Sequence, residues 1–250
     1  PAAVDVSKLD EGQRKIFDRV LEREPSACGK GHSLMHSWKN DSACRASFYA
    51  VRTVARLAGE GILDSEISER LRERFRGPKV TIDLSRAPSK GAESGKVTLV
   101  EFADYECGHC KDAMAMMPTL LAEYPKDLKV YFKHFPLGGH VGSVNAALAA
   151  TSAQRQGKFW PFNEKIWENF DRLTPALLEA VAKEIPGLDF DRWYGDLKTD
   201  EVRSQVIDDR GEGRNFEIHK TPAIYINGRL FTEEPSLAGL RDWIDEELGR

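Results

Sequence analysis

Residues 97–110 of the chain read VTLVEFADYECGHC, and this stretch decides the fold. Its beginning, Val97–Phe102, is almost entirely apolar, which predicts a buried β-strand. The spacing of the apolar residues then changes, and this predicts a turn followed by a helix over about residues 108–123. A second apolar run, Leu128–Phe132, predicts another strand, so the segment has the pattern of a β–α–β unit.

The two cysteines of this stretch lie where the strand gives way to the helix. Unpaired N–H groups and the positive end of the helix dipole favour a thiolate at Cys107, which is the reactive species in thiol–disulfide exchange. Cys110 lies one helical turn further and is expected to resolve the mixed disulfide. Gly108 leaves the approach open, and the imidazole of His109 is expected to hydrogen-bond the thiolate. A half zinc site or a structural bridge is the alternative for an isolated CxxC motif.

A carboxylate interrupts the first strand. Glu101 lies six residues before Cys107, and it is either on an exposed edge or buried with a raised pKa. Lys133 closes the next strand and could pair with it. Beneath Cys110, such a pair could take and return the proton of the resolving thiol. An ordinary surface ion pair is the alternative.

Further along the chain, Thr221 and Pro222 precede the apolar run Ala223–Ile226. Proline has no N–H, so here it marks either a strand start or a cis turn, and an ordinary trans turn is the alternative. The dipeptide Asn227-Gly228 then predicts a hairpin that leads into Arg229–Phe231.

The rest of the chain organises around these elements. Residues 1–80 predict an all-helical N-terminal region, and residues 81–96, rich in Ser, Gly, Pro and Lys, predict a linker. Residues 97–250 form the second predicted domain, with a helical segment at about residues 141–213. One N-terminal helix carries arginines at positions 70, 72, 74 and 76 between glutamates, and this alternation of sign predicts a solvated face.

Composition limits the classes of partner. Lys and Arg total 36, Asp and Glu total 40, and the net charge is −4, which gives no electrostatic case for nucleic acid or an anionic membrane surface. No segment is apolar enough to predict a transmembrane helix, and the N-terminus has no signal-peptide pattern. The chain is therefore expected to be cytosolic, or exported with its signal segment already removed.

A second cysteine pair lies in the N-terminal region. Cys28 and Cys44 flank a segment that contains His32 and His36. Three interpretations compete: a structural disulfide, a Cys₂His₂ metal site and a second redox pair. The disulfide is preferred because an oxidising compartment forms bridges from paired cysteines by default.

Four separated motifs resemble the DsbA-like branch of the thioredoxin superfamily. They are Phe102–Cys110, Phe132–Leu137, Gln156–Trp160 and Thr221–Ala223. The resemblance covers about residues 95–248 and implies an α/β thioredoxin fold with a helical insertion. It also implies a protein thiol–disulfide oxidoreductase that needs no metal or organic cofactor, with unfolded or misfolded proteins as substrates and a redox partner protein that regenerates the site.

The resemblance assigns roles to individual residues. It implies that Cys107 is the nucleophile and Cys110 the resolving cysteine, and that Gly108 and His109 tune the redox potential. It implies that Pro222 is the cis-proline, with Thr221 before it. Finally, it implies that Glu101 is the buried acid and Lys133 its basic partner. With this site and two cysteine pairs, the chain is expected to be periplasmic or otherwise exported.

Two departures from the family pattern leave the direction of reaction open. Gly108 stands where the best-known oxidases have proline, and Thr221 stands where they have valine. Both residues are typical of disulfide isomerases, and helical N-terminal regions in related proteins sometimes form the oligomers that favour isomerisation. A metal-handling or partner-binding module on a thioredoxin scaffold is the alternative from another functional class.

Overall fold

The computed structural model describes residues 4–249 and separates by internal contacts into two compact units. One unit runs from Val80 to Gly228. The other combines the chain up to Lys79 with the segment from Arg229 onward. The sequence predicted a second domain that continues to residue 250, so the grouping of the C-terminal segment differs from that prediction.

The described residues form eleven α-helices, one turn of 3₁₀ helix and five strands. In chain order they are α1 (Glu11–Arg23), α2 (Leu34–Asn40), α3 (Arg45–Gly59), α4 (Asp64–Arg76), β1 (Ser89–Gly91), β2 (Val97–Ala103), α5 (Gly108–Glu123), β3 (Leu128–His134), α6 (Val141–Gln154), α7 (Phe159–Glu168), the 3₁₀ turn (Phe170–Arg172), α8 (Pro175–Glu184), α9 (Phe190–Asp196), α10 (Asp200–Asn215), β4 (Ala223–Ile226), β5 (Arg229–Leu230) and α11 (Leu237–Glu247). Within residues 4–249, no helix is both long and apolar enough to cross a membrane.

Within Val80–Gly228, the sheet has the strand order β1-β3-β2-β4. The predicted β–α–β unit is present: β2 and β3 run parallel, and α5 connects them. On its other side β2 pairs antiparallel with β4. The prediction of a linker over residues 81–96 is wrong where β1 forms, because this short polar strand has no apolar pattern and pairs antiparallel with β3.

Helices α6 to α10 form the predicted insertion between β3 and β4. Their apolar side chains make one buried cluster with residues of α5 and the sheet. Phe162 and Trp193 are almost completely buried there, and the indole of Trp193 donates to the carbonyl of Ala149 at 2.9 Å. The mixed α/β architecture predicted from the sequence is confirmed.

The other unit is helical, as predicted, and has its own core. Phe17, Leu21, Val54 and Leu57 are almost fully buried in it. Helix α1 begins with a capping box, in which Asp10 accepts from the N3 backbone and the N3 side chain accepts in return. Helix α2 was not predicted, because it has only seven residues and follows a polar loop.

Buried arginines explain why α11 groups with the N-terminal helices. Arg74 is completely buried, pairs with Glu246 at 2.7 Å and lies over the Trp243 ring at 4.4 Å. Arg56 pairs with Asp242 at 2.8 Å. The predicted solvated face is therefore wrong for Arg74, because carboxylates from the C-terminal segment replace water as its partners.

Candidate active site

A tight turn places the motif cysteines at the start of α5. Cys107 is the N-cap of that helix, and its N–H donates to the carbonyl of Asp104 at 3.0 Å. The Asp104 side chain is completely buried and accepts the N–H groups of Glu106 and Leu137, each at 2.7 Å. These three hydrogen bonds hold the turn that follows β2 and thereby fix the position of the Cys107 sulfur.

The two thiols have opposite environments. Cys107 is partly exposed and Cys110 is fully buried, and both are unpaired thiols. The hydrogen bond from Cys110 is the largest cause that lowers the pKa of Cys107 to about 5, with further contributions from Thr221 and from the main chain at His109. Burial raises the pKa of Cys110 far above its ordinary value. One sulfur is therefore ionised near neutral pH and the other keeps its proton.

The residues between the cysteines are exposed, and their contacts differ in part from expectation. The expected hydrogen bond between the His109 imidazole and Cys107 is absent from the described residues, since His109 contributes its backbone N–H instead. A Cβ built at Gly108 would have its nearest neighbour, the Phe170 ring, at 3.8 Å. The approach to the Cys107 sulfur along Gly108 is thus open.

The segment before β4 contacts Cys107. The peptide bond between Thr221 and Pro222 is cis. The Cys107 sulfur lies 3.3 Å from the carbonyl oxygen of Thr221, although 114 residues separate them in sequence. The fold therefore brings together the CxxC motif and the Thr-Pro motif that the sequence singled out separately.

Glu101 lies in the interior, but Lys133 does not pair with it. Glu101 is completely buried, and neither carboxylate oxygen has a hydrogen-bond partner among the described residues. Burial, and to a smaller extent the charge of Cys107, raises the pKa of Glu101 to about 8. In the β2–β3 register Phe102, not Glu101, stands beside Lys133. Because side chains alternate along a strand, Glu101 and Lys133 point to opposite faces of the sheet, and the predicted pair is wrong.

The partners of Lys133 come from the opposite face. Its ammonium group lies 2.7 Å from Asp209 and 2.9 Å from Glu212, both on α10. It also donates to the carbonyl of Asp83 at 2.9 Å. Lys133 is thus a buried structural cation, held by a helix of the insertion.

Several residues near the cysteines escaped the sequence-based prediction. The Nδ1 atom of His140 lies 2.8 Å from the Asp104 carboxylate, and Glu106 accepts the N–H of Ser143 at 2.8 Å. The Ser143 hydroxyl in turn accepts the N–H of Tyr105 at 3.0 Å. Asp104, Tyr105 and Glu106 belong to the recognised motif, but their partners come from the start of the insertion, and no local pattern signals that contact.

Cys28 and Cys44 form a disulfide, as preferred from the sequence, with 6.0 Å between their Cα atoms. The neighbouring imidazoles of His32 and His36 lie 4.5 Å apart between ring centroids. With both sulfurs bonded to each other, the Cys₂His₂ interpretation loses its two thiolate ligands. Over residues 4–249, no group of three or more His, Cys, Asp or Glu side chains is arranged to hold a metal ion.

Comparisons with known proteins agree with this geometry. Residues 85–246 match the family described as Thioredoxin. A probable disulfide bond formation protein D from Bacillus anthracis is 30% identical over 174 residues, which cover 66% of this chain and 79% of that protein. The matched family region contains both motif cysteines and the cis-proline.

Solved structures give the same result. The oxidised form of BdbD from Bacillus subtilis is similar with a TM-score of 0.61 and 26% identity, over 69% of this chain and 98% of that one. The thiol-disulfide exchange protein alpha-DsbA2 from Wolbachia pipientis is similar with a TM-score of 0.59 and 26% identity, over 73% of this chain and 94% of that one. The predicted fold class is confirmed.

Proposed function

Since this chain belongs to the DsbA-like branch of the thioredoxin superfamily and is a thiol–disulfide oxidoreductase, we propose that it introduces disulfide bonds into reduced proteins in an exported compartment. The observation that carries the proposal is the contrast between an ionised, accessible Cys107 and a protonated, buried Cys110. The Cys28–Cys44 disulfide supports an oxidising location, because such bridges persist mainly outside the reducing cytosol.

The low pKa of Cys107 favours net oxidation of substrates. The hydrogen bonds that stabilise its thiolate exist only in the dithiol form, so they favour the reduced enzyme over the disulfide. A disulfide whose reduced form is stabilised takes electrons readily from other thiols. The same effect makes Cys107 a good leaving group when the substrate disulfide closes.

The reaction then proceeds in two exchanges. A substrate thiolate attacks the Cys107 sulfur of the Cys107–Cys110 disulfide, the S–S bond breaks, and Cys110 leaves with the electron pair. A second substrate thiolate attacks the substrate sulfur of the mixed disulfide and displaces Cys107 as a thiolate. The substrate gains one disulfide, and the enzyme ends as the dithiol.

Glu101 supplies the proton that Cys110 needs. A buried thiolate is unfavourable, and the charge of Glu101 would make it more so. With its pKa raised to about 8, the Glu101 carboxyl holds a proton at neutral pH and has no competing hydrogen bond. Since neither Glu101 oxygen is hydrogen-bonded to Cys110, the proton would pass to the departing Cys110 through an intervening water, without a contribution from Lys133.

The cis-proline loop is the proposed docking edge for substrates. The Thr221 carbonyl oxygen lies 3.3 Å from the Cys107 sulfur, so an extended substrate chain beside Thr221 and Pro222 would carry its sulfur close to Cys107. The two sulfurs themselves carry the redox equivalents, so no organic cofactor is invoked. Unfolded or misfolded proteins are the proposed substrates, and a second redox protein would reoxidise the dithiol.

Isomerisation by an oligomer is the second candidate. Thr221 is the residue that favours it, together with the Gly108-His109 dipeptide, because these residues resemble the isomerase pattern. The N-terminal helices would supply the contacts between subunits. An oligomer that rearranges scrambled ribonuclease faster than it oxidises reduced ribonuclease would support this candidate over the oxidase.

The test is the reduction potential of the Cys107–Cys110 pair, measured by equilibration with glutathione buffers. We expect a value at or above that of protein disulfide isomerase, about −180 mV. A value near that of thioredoxin, about −270 mV, would contradict the oxidase.

A pair of matched variants tests the assignment of the two sulfurs. Cys107→Ser should abolish oxidation of a reduced test protein at this site, because the remaining sulfur of the motif, on Cys110, is buried. Cys110→Ser should accumulate a covalent complex with the oxidised form of that protein, visible on a non-reducing gel, because the Cys107 thiolate breaks the substrate disulfide and no second thiol of the motif releases the product. The assignment fails if Cys107→Ser forms the complex instead.

A further inference from the structure

The Cys28–Cys44 disulfide has one accessible and one protected sulfur. Cys28 is exposed, whereas Cys44 is only 4% exposed. Thiol–disulfide exchange requires a thiolate to reach the sulfur that it attacks. A thiolate from another molecule can therefore attack Cys28 only, and Cys44 is the sulfur that must leave.

A buried hydroxyl is already directed at the leaving sulfur. Ser47 is completely buried, and its oxygen lies 2.9 Å from the Cys44 sulfur. That oxygen accepts the N–H of Ala27 at 3.2 Å, and a disulfide sulfur has no proton to give. Ser47 must therefore be the donor in its contact with Cys44. Ser26, also buried, places a second hydroxyl 3.8 Å from the same sulfur.

These hydroxyls decide how readily Cys44 can leave. Burial by itself raises the pKa of a thiol and makes it a poor leaving group. A hydrogen bond from Ser47 to the departing sulfur opposes that penalty, because it becomes stronger as negative charge develops on the acceptor. Cys44 also occupies the N-cap of α3, where the helix dipole acts in the same direction.

The loop that carries Cys28 is open to solvent and anchored at both ends. A Cβ built at Gly29 or Gly31 would meet no atom within 4 Å. At the base of the loop, Pro25 and Ser33 form an antiparallel bridge, and the N–H of Ser26 donates to the carbonyl of His32 at 2.9 Å. These backbone bonds would keep Cys28 near Cys44 after the S–S bond opened, which favours its re-formation.

We propose that Cys28–Cys44 is a second redox centre, which accepts two electrons from a partner that carries two neighbouring thiols. A partner thiolate attacks Cys28, the bond between Cys28 and Cys44 breaks, and Cys44 leaves as a thiolate beside Ser47. The second partner thiolate attacks the partner sulfur of the mixed disulfide and releases Cys28. The partner leaves as a disulfide, and its two protons end on Cys28 and Cys44.

This centre operates without the Cys107–Cys110 pair, so its test uses the full chain with Cys107→Ser and Cys110→Ser. The probe is dithiothreitol, a small dithiol, under native conditions. Circular dichroism follows the helices during this reaction; the reaction is then stopped with acid, the protein is unfolded, and the opened cysteines are counted by the mass added with a maleimide. We expect both Cys28 and Cys44 to become labelled while the helical signal is unchanged.

Ser47→Ala in the same background tests whether the hydrogen bond from Ser47 helps the Cys44 sulfur to leave. Loss of one hydrogen bond to a developing thiolate is expected to slow opening about tenfold. Ser37→Ala is the matched control: Ser37 is an equally buried hydroxyl of the same unit, but it bonds His32 at 2.8 Å and not a sulfur. The Cys28–Cys44 bond of the Ser37→Ala variant should open at the parental rate.

Three results would overturn the proposal. The pair would be a purely structural bridge if dithiothreitol opened it only in guanidinium. The same conclusion would follow if opening the bond abolished the helical signal. Equal opening rates for Ser47→Ala and its parent would refute the assignment of Cys44 as the stabilised leaving sulfur.

Discussion

Two buried glutamates, one in each unit, have nearly equal burial and opposite surroundings. Glu101 is completely buried, and no described group hydrogen-bonds its carboxylate. Glu233 is 7% exposed, yet it is paired with Arg56 and Arg74 and accepts the indole N–H of Trp243 at 3.0 Å. Burial alone therefore does not decide what a carboxylate does; its partners do.

The difference separates a structural charge from a chemical one. Glu233 is compensated by cations, so its charge contributes to holding the C-terminal segment on the N-terminal helices. Glu101 has no compensation, so it lowers stability whenever it ionises and keeps a proton near neutral pH. An uncompensated acid close to a reactive thiol is the arrangement that proton transfer requires.

The largest expected effect comes from removing the compensated carboxylate. Glu233→Ala removes the buried carboxylate that Arg56 and Arg74 share, leaves the indole N–H of Trp243 without its acceptor, and should lower the free energy of unfolding by about 3–5 kcal/mol. Urea denaturation measures this change. Glu234→Ala is the control, because Glu234 is exposed and its removal should change stability by less than about 0.5 kcal/mol. Equal effects of the two variants would break the comparison.

A pH-dependent effect, which reaches a comparable size only near pH 8, is expected for Glu101→Gln in the dithiol enzyme. The pKa of Glu101 is raised to about 8, from 4.5, so the folded protein holds this proton more tightly than the unfolded chain. The wild type therefore loses stability as pH rises from about 4.5 to about 8, and Glu101→Gln avoids that loss. The variant should gain about 4 kcal/mol relative to wild type at pH 8, and little at pH 4.5.

Urea denaturation at several pH values checks this expectation, with Glu93→Gln as a control at an exposed glutamate. A gain for Glu101→Gln that is the same at every pH would show that Glu101 is ionised throughout, against its assigned role as proton donor.

The smallest effect is expected for Lys133→Met, which should hardly change the pKa of the Cys107 thiol. Lys133 lies on the opposite face of the sheet from Glu101 and pairs with Asp209 and Glu212. The pKa of Cys107, followed by thiolate absorbance at 240 nm, should change by less than about 0.3 unit, well inside the usual range of site-to-site variation. Lys133→Arg keeps the charge and controls for altered packing. A change of about one unit in Lys133→Met alone would restore Lys133 to the catalytic group.

The motifs and central elements could be predicted because their signals are local. The apolar run of β2, the change of period into α5 and the spacing from Cys107 to Cys110 all lie within one short segment. Helix α2 and strand β1 could not be predicted in this way, because neither has a periodic apolar pattern. Strand β1 exists only because β3 supplies its hydrogen bonds.

The partners of charged residues were the least predictable part of the site. Glu101 and Lys133 end neighbouring strands, so proximity in the sheet suggested a pair. The register places them one position apart, and that single step sends the side chains to opposite faces. Similarly, Arg74 has the local sequence of an exposed helix face and became buried because α11 covers it.

The sequence by itself located the redox motif: it determined that Cys107 begins a helix with Cys110 one turn further, and which strand carries the acid. Those properties follow from residue type and spacing along the chain. The tertiary structure decided which sulfurs are accessible, which carboxylate lacks a partner and where Lys133 is used. Accessibility and compensation depend on groups distant in sequence, and only the packing of strands and helices brings those groups together or keeps them apart.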